Sequence, residues 1–217
     1  MPTFSLVHLE FLLVAAQWTI GLSIAAFVGG GLVGFVVALA RISDLRLLRI
    51  AAMIYIQLVQ GTPLLILLFV IYFGISLLGF NNLPALFAAC AGLIVYSSGF
   101  LAEIWRGCIE SVPKTQWQAA ECLALTPWQR MVKVILPQAA RIATAPTVGF
   151  LVQIVKNTSL ASVVGFVELA QAGKLINNSI YEPFTVFMIV ALIYFAICFP
   201  LSTWSRRLER KLNVGRR

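Results

Sequence analysis

The sequence predicts an all-α integral membrane protein with about five transmembrane helices, and three observations predict it. Hydrophobic residues make up 60% of the 217-residue chain and charged residues only 11%, where a soluble domain carries about 45–50% and about 25%. The mean hydropathy is +0.94, and the apolar residues form runs long enough for helices of about 20 residues, the length that crosses a bilayer. The basic residues lie between these runs, mostly in alternate connections. Five spans leave little chain for a soluble domain, so residues 1–217 are expected to form a single membrane unit.

The first run covers about residues 11–40 and is interrupted by Gln17, Gly29, Gly30, Gly31 and Gly34. It is too long for a cleavable signal, and the residues before it include Glu10 and His8 but no Lys or Arg, so it is expected to remain as a span. Its glycines suit close packing of one helix on another. The second run, about 50–79, is broken in its middle by Gln60, Gly61, Thr62 and Pro63. A short polar turn at Asn81, Asn82 and Pro84 leads into a third run, about 83–105. Residues 106–141 are polar and helix-forming, and read as a structured loop. The fourth run, about 142–166, carries Gln153, Lys156, Asn157, Thr158 and Ser159. The fifth, about 184–204, ends in a basic tail. Trp18, Trp105 and Trp204 fall near span ends, where indole rings anchor helices at the membrane interface.

The formal charge of +8 follows from topology. Every Lys and Arg except Lys156 and Lys174 follows the first, third or fifth run. By the positive-inside rule these connections are cytoplasmic, which puts the amino terminus outside and the carboxyl terminus inside. Nucleic acid is therefore not an expected partner, and membrane lipid is. Cys90, Cys108, Cys122 and Cys198 show no ligand spacing, so neither a disulfide framework nor a metal site is expected.

Two helix starts punctuate the 106–141 loop. Thr115 with Gln118 has the form of a capping box opening a helix through about Leu125. Thr126, Pro127 and Gln129 repeat the signal, and Pro137 is expected to end that second helix. Trp128, Met131, Val132, Ile135 and Leu136 follow 3–4 spacing, so they are expected to pack on the bundle while Gln129, Arg130 and Lys133 stay exposed. Such an elbow also has a plain reading as a packed connection.

The residues of this elbow resemble the cytoplasmic EAA loop of permease subunits in bacterial ATP-binding-cassette importers. Gln118-Ala119-Ala120-Glu121-Cys122-Leu123-Ala124 stands where that family has Glu-Ala-Ala, two variable residues, Leu and Gly, and Val134-Ile135-Leu136-Pro137-Gln138-Ala139 matches its second half. Gly61-Thr62-Pro63-Leu64-Leu65, Ala102-Glu103-Ile104-Trp105-Arg106-Gly107 and Lys156-Asn157-Thr158-Ser159-Leu160 are similar to motifs of the polar amino acid (histidine, glutamine or glutamate type) permeases, in the same order. Gln118 replaces the usual Glu and Ala124 the usual Gly. Lys114-Thr115 and Gln60 also depart from the pattern. An Ala at a helix end does not take the left-handed cap freely, so a differently built turn is expected there.

The resemblance implies a type I importer permease fold in the bacterial inner membrane, with 106–141 as the coupling loop. It implies transport of polar amino acids by alternating access, with two ATP-binding subunits, an external or periplasmic solute-binding protein and a second permease subunit as partners. The departures favour a paralogous chain over a homodimer. No Gly-x-x-x-x-Gly-Lys-Ser/Thr loop is present, so this chain is not expected to be an enzyme or to bind a cofactor of its own, and ATP and Mg belong to the partner ATPase. The coupling helix, about 116–125, would contact that ATPase through Gln116, Gln118, Ala119, Ala120, Glu121, Leu123 and Ala124.

Polar residues within the spans are the candidates for a substrate path, because unpaired polar groups are costly there. Gly61, Thr62 and Pro63 would supply freed backbone groups near mid-membrane. Lys156, Asn157, Thr158 and Ser159 would supply a cation and hydroxyl donors for an α-carboxylate. Lys156 has a second reading as an ion-pair partner of Glu103, while Glu103 is expected to pair with Arg106 at i, i+3. Ser97 and Ser98 fit substrate contact or helix packing. The competing class is a self-sufficient channel or secondary carrier for small polar solutes, which would work without any ATPase.

Overall fold

The computed structural model describes residues 3–77 and 84–214, and within them every regular element is helical. The expected turn at Asn81 and Asn82, the flanks of the second and third runs at Gly79 and Leu83, and the tail residues Arg216 and Arg217 lie outside the described residues. Four helical stretches are long and apolar enough to cross a membrane, and a bent pair adds a fifth.

Helix α1 (Leu6–Arg41) packs along α4 (Ala85–Glu110). Gly29 lies against Ile94, Gly30 against Ser97, and Gly34 against Ser98 and Ala102, so the two helices run parallel. The contact is backbone to backbone: a Cβ on Gly34 would come within 2.8 Å of the Ser98 carbonyl oxygen. Small residues are what make this approach possible.

The second run is two helices, α2 (Arg46–Gly61) and α3 (Leu64–Leu77), bent by 108° at the break. Ile56 packs with Ala102, Val59 against Gly99 and Leu68 against Gly92. Successive turns of the pair thus meet successively earlier turns of α4, and the pair travels from the Glu110 end of α4 toward its Ala85 end. Tyr55 bonds Ser98 at 2.5 Å, and Gln60 Nε2 donates to the Gly99 carbonyl at 3.4 Å. The break therefore sits level with the middle of α4.

Beyond α5 (Lys114–Cys122) and α6 (Pro127–Arg130), residues Met131–Ile135 form a π turn that runs directly into α7 (Leu136–Asn157), and a 3-10 segment follows over Thr158–Val164. Pro137 does not end the helix. In an α-helix it would remove one hydrogen bond and clash with the carbonyl four residues back. Here the Leu136 amide bonds the Met131 carbonyl in i→i+5 register, and this widened turn leads the chain past the proline. Residues 106–141 are therefore helical over most of their length: α4 reaches Glu110, and the helical stretch that leads into the fourth run begins at Pro127.

Two further expectations shift. The π turn alters the helical face, so Ile135 is buried with Met131, Val134 and Leu136 around it, while Trp128 and Val132 are exposed. Trp105 is not a lipid anchor. It points into the bundle, where its Nε1 donates to Thr147 at 2.9 Å.

Helix α8 (Leu169–Ile180) and helix α9 (Pro183–Val214) complete the bundle. Ser205 Oγ donates to the Ala145 carbonyl at 3.1 Å, and Cys198 packs with Val152 and Val155, so α9 is antiparallel to α7. The apolar face of α8 (Leu169, Ala172, Ile176 and Ile180) closes on Leu12, Ala15 and Ala16 of α1 and on Val186 and Val190 of α9.

Candidate functional site

Helix α5 begins two residues earlier than the Thr115 box predicts, at Lys114. Pro113 is extended (φ −52°, ψ 136°) and precedes the first turn without a side-chain cap, its carbonyl accepting from the Gln116 amide at 2.9 Å. Thr115 is therefore inside the helix. Ala120 is buried, whereas Gln116, Gln118, Ala119, Glu121, Cys122, Leu123 and Ala124 are exposed. Leu123 is 74% exposed and Trp128 73%, so two large apolar side chains flank the turn that ends α5.

Ala124 takes the left-handed conformation despite its Cβ, with φ 54°. Its amide donates to the Glu121 carbonyl at 2.9 Å, and the next amide, of Leu125, to the Ala120 carbonyl at 3.2 Å. These are the two bonds of a Schellman turn, so the turn expected to be built differently is built as a glycine would build it. Thr126 then opens α6 with the expected capping box: its Oγ1 accepts from the Gln129 amide at 3.3 Å and its own amide donates to Gln129 Oε1 at 3.1 Å.

Of the seven residues expected to meet an ATPase, three are occupied within the chain. Ala120 faces inward. The Glu121 carboxylate is ion-paired with Arg130, whose guanidinium also lies over the Trp117 ring, 5.7 Å from its centroid; Arg130 is thus not the free surface charge its spacing suggested. Gln116 Oε1 accepts from Gln138 Nε2 at 3.3 Å.

The intramembrane candidates form two neighbouring segments. Gly61 and Pro63 are exposed at the break, and Thr62 Oγ1 donates to the Leu58 carbonyl at 2.8 Å. Leu64, just past the break, shares a buried apolar cluster with Ala161 of the 3-10 segment, which brings the Gly61–Pro63 break and the Lys156–Ser159 segment to neighbouring positions. Thr158 is buried and donates to the Val155 carbonyl, and Ser159 donates to that of Lys156, each at 2.8 Å. Asn157 Oδ1 accepts from Gln153 at 3.0 Å.

Lys156 is exposed and does not pair with Glu103. Phe150 stacks on Phe100 with centroids 5.5 Å apart, and Lys156, six residues further along α7, lies roughly 9 Å past that level toward the Ala85 end of α4. Glu103 sits toward the opposite end and pairs with Arg106, as the i, i+3 spacing predicts, and Arg106 also bonds Glu110 at 2.5 Å. Ser97 and Ser98 are both fully buried between α1, α2 and α4. Ser98 is held by Tyr55 and by the Val95 carbonyl, and Ser97 faces Gly30.

Sequence reasoning passed over Glu168, which is fully buried. Its oxygens accept from the Ala170 and Gln171 amides at 3.0 and 2.9 Å and from the Tyr194 hydroxyl at 2.7 Å. Thr19 Oγ1 lies 3.4 Å away and accepts from the Leu169 amide at 3.1 Å. One carboxylate thereby caps α8 and ties it to α1 and α9. The 3–4 spacing of Leu169, Ala172, Ile176 and Ile180 was the available signal for this helix.

A cleft of about 490 Å³ opens between α1, α4 and α7, lined by Phe35, Trp105, Ile109, Ala139, Ala143 and Thr147 among others. It is almost wholly apolar and holds none of the substrate-path candidates. Among the described residues no cluster of His, Cys, Asp or Glu could hold a metal ion.

This architecture has relatives. The family model described as "Binding-protein-dependent transport system inner membrane component" matches residues 30–214. The chain is similar to the probable amino-acid ABC transporter permease protein YckA of Bacillus subtilis (strain 168), at 39% identity over 194 residues, 89% of this chain and 85% of that one. It is also similar to the glutamine transport system permease protein GlnP of Escherichia coli (strain K12), at 30% identity over 95% of this chain and 94% of that one. A solved amino acid ABC transporter with histidines superposes with a TM-score of 0.89 at 30% identity, covering 97% of this chain and 100% of that one. The MetNI methionine ABC transporter in an inward-facing conformation shares the fold at 22% identity, with a TM-score of 0.78 over 96% of this chain and 99% of that one. The match over residues 30–214 and these relatives show that the chain belongs to the family of inner membrane components of binding-protein-dependent transport systems.

Proposed function

We propose that the chain is the membrane-spanning permease subunit of an ATP-driven importer of polar amino acids, working by alternating access with separate ATPase subunits. The relatives named for amino acids and glutamine support the substrate class. The observation carrying the coupling role is the exposed edge of α5. Gln118, Ala119 and Leu123 project from a short helix that is fastened to the start of the fourth span, as a transmitter of force must be. A docked ATPase would cover Leu123, an apolar side chain otherwise left in water.

The side of docking follows from charge. Parallel α1 and α4, and antiparallel α7 and α9, bring Arg41, Arg106, Arg141 and Arg206 to one end of the bundle, the end that also carries α5. That end is the cytoplasmic one by the positive-inside rule, with the amino terminus outside. The substrate path is assigned to the Gly61–Pro63 break and the neighbouring Lys156–Ser159 segment, whose exposed ammonium suits an α-carboxylate. Two ATP-binding subunits holding ATP and Mg, an external solute-binding protein and a second permease chain complete the system. Ala124 makes its turn without glycine, so the expectation of a paralogous partner rests on the other departures, Gln118, Lys114-Thr115 and Gln60.

Pull-down from detergent tests this reading. The wild-type chain is expected to bring down an ATPase and a second permease chain, identified by mass. Gln118→Lys and Ala119→Asp are expected to lose the ATPase while still assembling in the membrane. A wild-type chain that brings down no ATPase and moves solute by itself in liposomes would make the protein a channel or carrier.

A further inference from the structure

Helix α5 is joined in sequence to both the third and the fourth spans, and its Trp117 packs in a cluster that also holds Ile109 and Val112 at the end of the third, but its side-chain polar contacts go to the fourth. The same cluster holds Met131 and Ile135 of the π turn. The polar contacts are Gln116 to Gln138, and Glu121 to Arg130. Arg130 does two jobs at once, pairing its guanidinium with Glu121 and laying it over the Trp117 ring at 5.7 Å. These two residues lie one helical turn apart on α5, so a single side chain from the rod holds two successive turns of the short helix. From Arg130 the rod continues through the π turn and α7 to the 3-10 segment, a single helical stretch from Pro127 to Val164 that contains Lys156 to Ser159.

We propose that Arg130 is a positioning residue that locks α5 to this rod, so that the two move as one lever and a push on α5 is delivered to the Lys156–Ser159 segment. In this role Glu121 is a clamp residue, facing Arg130 rather than an ATPase. The proposal rests on the permease reading above. A planar guanidinium suits the task because it pairs with a carboxylate and stacks on an indole at the same time, which a lysine ammonium does not reproduce. Without the clamp, α5 remains folded and tethered by Trp117 but swivels on its two flanking turns. ATP is then hydrolysed without moving the span.

The test uses the assembled importer in proteoliposomes, comparing wild type, Arg130→Glu, Arg130→Lys and the swap Glu121→Arg/Arg130→Glu. Two quantities are read: hydrogen exchange of the α5 amides in the purified permease, and solute transported per ATP hydrolysed in the assembled complex. Arg130→Glu is expected to speed α5 exchange at least tenfold and to cut the transport ratio about tenfold, with the ATPase still co-purifying. Arg130→Lys is expected to fall between, and the charge swap to recover most of both readouts. Unchanged exchange in Arg130→Glu would show that no clamp exists. Faster exchange with an unchanged transport ratio would reduce Arg130 to a merely structural role and overturn the lever. Failure of the wild-type chain to retain any ATPase is a separate result, which sinks the permease reading and the lever with it.

Discussion

The Leu125 amide reaches back to the Ala120 carbonyl at 3.2 Å, across a turn in which Ala124 holds φ at 54°. An L-residue with a Cβ pays about 1–2 kcal/mol for this conformation, and the turn persists because both of its backbone bonds are made and the Thr126 capping box follows at once. Ala124→Gly removes the strain at the cost of a more flexible unfolded chain. The net gain is expected to be about 0.5–1 kcal/mol. Slower hydrogen exchange of the amides at 123–125 is the readout, and equal or faster exchange would contradict the assignment of strain.

Neighbouring alanines on α5 have opposite environments. Ala119 is exposed and Ala120 is 1% exposed. Ala120→Asp buries a carboxylate without a partner and is expected to destabilise the elbow by several kcal/mol, seen as protease cutting within 111–126. Ala119→Asp leaves proteolysis unchanged and acts only on ATPase retention. Identical behaviour of the two variants would refute the burial pattern.

The α1–α4 contact leaves no room for a side chain at Gly30, whose added Cβ would fall 2.5 Å from the Ser97 Cβ. Gly30→Ala is expected to cost about 1–3 kcal/mol by overpacking, lowering the thermal midpoint in detergent. Ser97→Gly, which clears the opposing atom, should recover part of that loss when combined with it. Additive losses in the double variant would mean the two helices do not meet there.

Glu168 and Tyr194 provide a similar test on the opposite side of the bundle. Glu168→Ala strands two α8 amides and a buried hydroxyl, at roughly 1.5–3 kcal/mol for the loss of bonds to a charged acceptor. Tyr194→Phe removes one of those bonds and should cost about 1–2 kcal/mol. The double variant is expected to be less destabilised than the sum of the two, since one bond is shared. Strict additivity in thermal unfolding would show that the bond contributes nothing.

How much was legible varied with how local each cause was. Hydropathy marked the spans, Gln60 to Pro63 marked the break, and Thr126 with Gln129 marked the start of α6, because each depends on residues within a turn or two of one another. Glu103 and Arg106 found one another for the same reason. The angle at the break was not legible, since 108° is set by where α3 lands on Gly92 and the 3-10 segment. Pro137 reads as a helix end only while the preceding turn is assumed to be α-helical, and the π turn around Ile135 is stabilised by the packing of α7 against Ile109 and Val112. Glu168 drew no reading from the sequence because its partners Thr19 and Tyr194 lie far away along the chain, on other helices.

By itself the sequence determined the membrane as solvent, the number of apolar runs, the side that gathers positive charge and the family motifs in order, because these follow from composition and short-range spacing. The tertiary structure decided which polar groups remain open to a ligand or a partner. Burial took Ala120, Ser97 and Ser98 out of reach, internal pairing engaged Glu121 and Glu103, and packing left Lys156 and Leu123 uncovered. Whether a side chain is satisfied depends on groups brought to it from distant parts of the chain, and those meetings exist only once the helices have packed.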